Sequence, residues 1–426
     1  MTLRLGVVIS HPIQHYAPLF RTLAGVPGLE VRVFYCCDWG VKPYHDSGFG
    51  QTFAWDVDLL SGYDSVFLPI RRRPRSAGFL DMDNPSVGRY LDEFNPHALW
   101  LHGYSQRTIW RAARWASGRA ALLHFGDSEL LHDRGVVRRA LKRAILRWHF
   151  GRCDAFVTIG DNNEAYYRHY GVPPEKMFRG ACPVDVQRFR AGAGERPASR
   201  RSIRERFQLP PDALVALQVG KLEPRKRPFD LVEAVGALAA DAVPVAGLLV
   251  GDGPLRGAVE TRIRERGLEG RMRVSGFVNQ REMPSLLAGG DILVVASDFD
   301  PHPLVVTEAM AVGLPIVASD RIGCVGETDS AQPGRNTAVF SCGDVVGLTA
   351  ALRRLTDDPG ERERLGRSSE LLADTQDLPV AAEAVLRALR AVADRRTDIW
   401  DVDARDSARR LSMPPAAATV GGRGAT

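Results

Sequence analysis

The chain lacks most of the features that would mark a secreted scaffold, a membrane protein or a nucleic-acid binder. Its 426 residues include six cysteines, at 36, 37, 153, 182, 324 and 342, with neither metal-ligand spacing nor the density of a disulfide framework. A reducing cytoplasm is therefore the expected compartment. No apolar run approaches membrane-spanning length, and the first residues reach His11 and Pro12 before any signal-type apolar core develops. Neither a transmembrane span nor a secretory leader is expected. The net charge of +5 is far from a dense basic footprint, so no nucleic-acid partner is expected, while an acidic ligand or an anionic surface remains allowed. What is present is an ordinary globular composition in a chain long enough for two cores.

The most informative stretch is 292–319, ILVVASDFDPHPLVVTEAMAVGLPIVAS. Its first five residues are apolar and β-branched, as in a strand covered on both faces of a parallel sheet. Pro303 suits the first position of a helix, and Gly313 followed by Pro315 marks its end. The pattern predicts a helix over 303–312, whose first amides, near Leu304 and Val305, point back over the carboxyl end of the strand. Open α/β sheets bind ligands there, and an anion is favoured. Glu308 lies in this helix among apolar residues. It either faces water or accepts hydrogen bonds from a diol such as a ribose. Asp300 sits in the preceding loop, within reach of a second hydroxyl-rich group.

From the N-terminus, a strand at 4–10 runs into HPIQHYAPLFRTLA, which places His11, Gln14, His15 and Tyr16 in the first turn or at the start of its helix. Further strands are expected at 31–35, 97–101, 120–124 and 155–159. The loops after two of them carry His102, and then Asp127 beside the strand-end His124, to the same sheet edge as His11. Residues 44–55, rich in glycine and aromatics, read as a long surface loop that could shape a pocket. Between 134 and 152 lie seven basic and no acidic residues, with Val137, Leu141, Ile145 and Trp148 at helical spacing. That segment reads either as a helix on an anionic membrane surface or as a helix with its apolar stripe packed inside. The packed reading is preferred.

Residues 191–210 lose hydrophobic periodicity and read as a linker. A second α/β unit follows, with strands at 213–219, 245–251, 271–275, 292–296 and 315–318. Its first strand exits into VGKLEPRKRP, where Gly220 allows a tight turn and Lys221 and Lys226 could neutralise a diphosphate. The next exits into LVGDGPLR, where Gly251 and Gly253 permit close backbone approach.

The series VGKLEPRKRPFDLVEA, LVGDGPLR, VSGFVNQREMPSLLAGGDILVVAS and DPHPLVVTEAMAVGLPIVASD resembles, in order and spacing, the C-terminal half of family-4 retaining glycosyltransferases. The resemblance is strong over 215–344 and holds for the first domain in outline. It implies a GT-B fold, two Rossmann-like doubly wound domains facing a cleft: an acceptor domain at 1–190, the linker at 191–210, a nucleotide-sugar domain at 211–375, a crossover helix at 376–396 returning to the first domain, and a disordered tail at 397–426. By position, the resemblance gives Glu308 to the donor ribose, Asp300 to the donor sugar and Lys226 to the diphosphate. Lys221 stands where the family usually has arginine. Phe277 and Val278 match the segment that reads the base, Gly220, Gly251 and Gly253 the adjoining glycine loops, and Pro303, Leu304 and Val305 the phosphate-facing helix start. His124 and Asp127 are candidates beside the reacting sugar, with His11, Gln14, His15, Tyr16 and His102 on the acceptor side.

The expected activity is retaining transfer of a sugar, from a UDP-sugar by preference, to a hydroxyl of a small-molecule, glycan or lipid-linked acceptor. No cofactor is expected beyond the nucleotide-sugar co-substrate, and no metal: Asp298 and Asp300 spell a DxD string, but two carboxylates are too few to diagnose a site. Asp300 is one methylene shorter than the usual glutamate, and Pro301, His302 and Pro303 stiffen its loop. A sugar-nucleotide epimerase of the same fold and a catalytically weakened nucleotide-sugar-binding protein are the alternatives. The expected location is cytoplasmic, with residues 134–152 as a route to peripheral contact with the inner membrane face.

Overall fold

Short apolar strands alternating with amphipathic helices build two parallel sheets. The computed structural model describes residues 2–46, 48–72, 74–131 and 136–414, without the side chains of 136–139. In the first domain the strands are β1 (Leu3–Ile9), β2 (Leu29–Tyr35), β3 (Tyr44–Asp46), β4 (Gln51–Phe53), β5 (Asp64–Phe67), β6 (Ala98–His102), β7 (Ala121–Phe125), β8 (Ala155–Thr158) and β9 (Met177–Arg179). Seven of them form one sheet in the order β5-β2-β1-β6-β7-β8-β9, parallel throughout. β3 and β4 pair antiparallel as a separate hairpin, so the expected loop at 44–55 is partly a β-ribbon.

The second domain contains β10 (Leu214–Val219), β11 (Val245–Val250), β12 (Met272–Gly276), β13 (Ile292–Val295), β14 (Ile316–Ser319) and β15 (Thr337–Phe340). They form a parallel sheet ordered β12-β11-β10-β13-β14-β15. Both sheets are covered on both faces, which is why their strands read as unbroken apolar runs. β1 and β10 sit inside their sheets with the strand order reversing beside them, so the loops after them meet the cleft.

The chain passes between domains twice, side by side. Val184 pairs with Asp377 in a parallel bridge, and the Asp377 carboxylate accepts hydrogen bonds from the Val186 and Leu378 amides, 3.1 and 2.7 Å, and from Gln187 Nε2, 3.2 Å. After this clasp the helix Leu378–Arg395 returns to the first domain, burying Ala381, Val385, Leu389 and Val392 beneath its sheet.

Three expectations need correction. The region 191–210 is largely the helix Arg196–Arg206, in which Ile203 and Arg204 are buried and Arg204 donates to Asp291 Oδ2 at 2.7 Å. Arginine-rich composition hid its narrow buried face. The tail expected from 397 is packed as far as residue 414: Trp400 is buried and donates to the His97 carbonyl at 2.8 Å, and a helix follows at Val402–Arg409. Residues 415–426 of that expected tail lie outside the described residues. The third correction concerns the helix Val136–Phe150. Leu141, Ile145 and Trp148 are 64%, 43% and 54% exposed, while Leu146, His149 and Phe150 form its buried face. The packed-stripe reading therefore fails over its described part; residues 134 and 135 and the side chain of Val137 lie outside the description.

Candidate active site

Four loops, at the carboxyl ends of β10, β11, β12 and β13, face the first turn of the N-terminal domain across a cavity of about 380 Å³. The cavity brings together Gln14 and His15 from one side and Gly220, Lys221, Lys226, Gly251, Phe277, Val278, Asp300, Pro303, Leu304, Val305 and Glu308 from the other. Glycine is required where the first two loops touch. Gly251 has φ +145°, and a Cβ there would lie 1.9 Å from the Gly220 carbonyl oxygen. Gly253 meets the Leu222 backbone instead of lining the cavity, so its role is loop packing.

The helix after β13 is Val305–Ala311, shorter than the expected 303–312, with Pro303 and Leu304 forming its approach. Pro303, Leu304 and Val305 line the cavity, and a helix start leaves its first amides without intrahelical acceptors. Glu308 is buried in this helix, and burial raises its pKa from 4.5 to about 7, against a weaker pull from Arg188. His15 Nε2 lies 3.5 Å from Glu308 Oε1. Burial, followed by the charge of Arg188, lowers the His15 pKa to about 3. At acidic to neutral pH the two therefore meet as a neutral base and a protonated acid. Lys226 Nζ pairs with Asp300 Oδ2 on the second-domain side.

The β3–β4 hairpin closes the cavity from the first domain; a pocket-shaping loop was expected at 44–55, but its strand pairing and its partners in the second domain were not. Lys221 Nζ donates to Asp46 Oδ1 and Oδ2 at 2.8 and 3.0 Å. Burial opposes ionisation of Asp46, but hydrogen bonds from Lys221 and from the Phe49 and Gly48 amides outweigh it and hold its pKa below the ordinary value. Phe277 packs against Phe53 and Phe49, with ring centroids 4.5 and 5.0 Å apart. Asn279 Nδ2 donates to the Ala54 carbonyl at 2.9 Å. Trp55, Arg225, Gln280, Met283 and His302 complete the lining. The glycine-aromatic density of 44–55 was the available signal, but the partner across the cleft was not readable from it.

Other expected residues fall elsewhere. His124 sits on β7, whose alternation sends it away from the cleft into a buried aromatic cluster with Phe150, Phe156 and Tyr167. Tyr16 is a core side chain against Phe125 and Phe20. His102 meets Tyr16 edge-on, ring centroids 4.5 Å apart, and His11 Nδ1 bonds Ser10 Oγ at 2.9 Å; neither lines the cavity. Asp127 is accessible, standing between the domains, and its carboxyl is held above its ordinary pKa chiefly by the desolvating protein around it.

Residues 199–371 match the family described as "Glycosyl transferases group 1", and they contain every cavity-lining residue of the second domain. That match is to the second domain, which is similar over its length to the group 1 family. Curated relatives are glycosyltransferases by name. The alpha-D-kanosaminyltransferase of Streptomyces kanamyceticus is 30% identical over 198 residues, 46% of this chain and 50% of that protein. A D-inositol 3-phosphate glycosyltransferase of Kineococcus radiotolerans is 29% identical over 355 residues, 76% and 77% of the two chains. The chain spans about half the length of other curated relatives it matches, 44% to 60% for four of them. Anabaena HepE in complex with UDP and glucose superposes with a TM-score of 0.67 at 15% identity, covering 91% of this chain and 99% of that one. The group 1 domain and its partner thus share the GT-B fold.

Proposed function

We propose that the chain transfers a sugar, with retention of configuration, from a nucleotide-diphosphate sugar to an acceptor hydroxyl in this cleft. The observation carrying this reading is the convergence, in one cavity, of Lys221, Lys226, the helix start at 303–305 and the buried carboxyl of Glu308. As the bond from sugar to diphosphate breaks, negative charge grows on the departing phosphate. The two ammonium groups and the helix amides strengthen their hold as it does so, which lowers the barrier. Two cations in place beside the leaving group make a divalent metal unnecessary, and no cofactor is required besides the co-substrate. Glu308, once ionised, accepts from both ribose hydroxyls, while Phe277 and Val278 border the base. Asp300 faces the sugar once Lys226 turns to the phosphate. A UDP-sugar is the favoured donor, and HepE, with UDP and glucose bound, is the supporting neighbour.

A thermal-shift screen against UDP, GDP, ADP and their sugar conjugates in EDTA tests the donor assignment. A metal-independent rise with one nucleotide series is expected, and no rise with any of them overturns it. Conversion of the nucleotide sugar without an acceptor would instead favour the epimerase reading.

The exposed Leu141, Ile145 and Trp148, flanked by Arg143 and Arg147, support a lipid-linked acceptor presented at an anionic bilayer. Among the described residues no helix is long and apolar enough to cross a membrane, so this contact is peripheral. Co-flotation with vesicles containing anionic lipid, reduced by Ile145→Glu, is expected; equal flotation of the two proteins would dismiss it.

A further inference from the structure

Behind the first sheet, on the face turned away from the cleft, the side chains of His124, His149 and Cys153 converge. One ligand-type atom from each lies within 4.8 Å of the other two, and all three residues are buried. His149 belongs to the last turn of the helix Val136–Phe150, and Cys153 follows it by four positions in the turn beyond. β7 supplies His124 from the opposite side. The walls are aromatic: Phe150, Phe156 and Tyr167 surround His124, and Trp110 lies 4.6 Å from the His149 ring.

None of the four imidazole nitrogens of His124 and His149 has a hydrogen-bond partner. Cys153 Sγ makes one long contact, 3.6 Å, to the His149 carbonyl. Buried polar atoms in folded proteins are almost always paired, and a cluster of orphans calls for a water or an ion. A neutral imidazole carries one ring lone pair that a metal can take. Two imidazoles and a thiolate form a donor set for soft and borderline cations, and carboxylate-preferring magnesium or calcium would not suit it.

We propose that His124, His149 and Cys153 bind one d10 cation, zinc(II) or copper(I), as a structural staple between β7 and the helix Val136–Phe150. Zinc bonds of about 2.0 Å to nitrogen and about 2.3 Å to sulfur place donors about 3.5 Å apart. The three donor atoms, now within 4.8 Å of one another, have to close by roughly 1 Å to reach that spacing. The cysteine loses its proton on binding, and the proton leaves to solvent. The cluster escapes a search for paired-cysteine spacing because only one ligand is a cysteine and His124 joins through the fold.

The test uses the full-length untagged chain. Elemental analysis of protein purified without chelators is expected to give about one equivalent of zinc or copper, and bathocuproine competition separates the copper(I) case from the zinc case. Metal-free protein titrated with cobalt(II) is expected to develop a thiolate-to-cobalt charge-transfer band in the near ultraviolet. Cys153→Ser should abolish that band, and His149→Phe, which keeps the aromatic wall, should weaken cobalt binding at least about tenfold. Circular dichroism checks that both variants are folded. The proposal is overturned by the absence of bound zinc or copper together with no cobalt band, or by a band that survives Cys153→Ser in folded protein.

Discussion

Glu308→Gln separates stability from binding, because the burial that, in the proposed donor site, prepares Glu308 for a diol makes its ionised form costly. In the unfolded chain its carboxyl has the ordinary pKa of 4.5, and in the folded protein burial raises this to about 7. Between those values the folded state holds the extra proton, so the contribution of Glu308 to stability is greatest below 4.5, falls as pH rises, and levels off above 7. At about 1.4 kcal/mol per tenfold change in proton affinity, the full loss is about 3 kcal/mol. Glutamine removes this penalty but leaves an unpaired amide costing roughly 1 kcal/mol. A net gain of about 2 kcal/mol at pH 8 corresponds to about 5 °C in the melting temperature of a domain this size. Calorimetry of both proteins at pH 5 and pH 8 measures it. The variant should melt higher at pH 8, with the difference shrinking towards pH 5, and nucleotide binding should be lost at both. A difference independent of pH would refute the burial argument; retained nucleotide affinity would refute the diol role.

Lys226→Ala is expected to reduce turnover by at least about 100-fold in protein that remains folded, and near-normal kinetics in purified protein would remove the lysine from the leaving-group site. Asp46→Asn should free Lys221 for the diphosphate and tighten nucleoside-diphosphate binding about fivefold, the worth of a partly exposed ion pair of about 1 kcal/mol; calorimetric titration showing equal or weaker affinity would contradict the competition. Gly251→Ala places a Cβ against the Gly220 carbonyl and should abolish donor-induced stabilisation. Trp400→Ala should cost about 3 to 5 kcal/mol, read as a lower denaturant midpoint for the first domain, and an unchanged midpoint would show that the segment after 396 is not integral to it.

Much of the second domain was legible because its strands are buried on both faces and its helix start carries Pro303. The stretch 292–319 needs no distant partner to declare strand, turn, helix and strand. The β3–β4 hairpin was not legible: its strands have three residues each, too few to show a period, and its stabilising contacts, Asp46 to Lys221 and Phe53 to Phe277, join residues more than 170 positions apart. His124 shows a second limit. Nearness to a strand's carboxyl end suggested the cleft, but the alternation of β7 places Phe125 on one face and His124 on the other. Trp400 illustrates a third, since the short apolar cluster of Ile399, Trp400 and Val402 in a polar stretch gives no hint that Trp400 docks on His97, 303 positions earlier.

The clasp at Asp377 gives the architecture a modular character. Because the outgoing and returning strands of chain lie against each other at Val184 and Asp377, the region between them is, in topology, a passenger inserted at one point of a host made from residues on both sides. Replacing it with the corresponding segment of a relative would cut the chain at one narrow junction and leave the host's sheet, its returning helix and its Trp400 anchor intact, with the contacts of the β3–β4 hairpin to Lys221 and Phe277 to be remade. Recombination at that junction would exchange the domain that carries Lys221, Lys226 and Glu308 while the one that carries the hairpin is inherited unaltered.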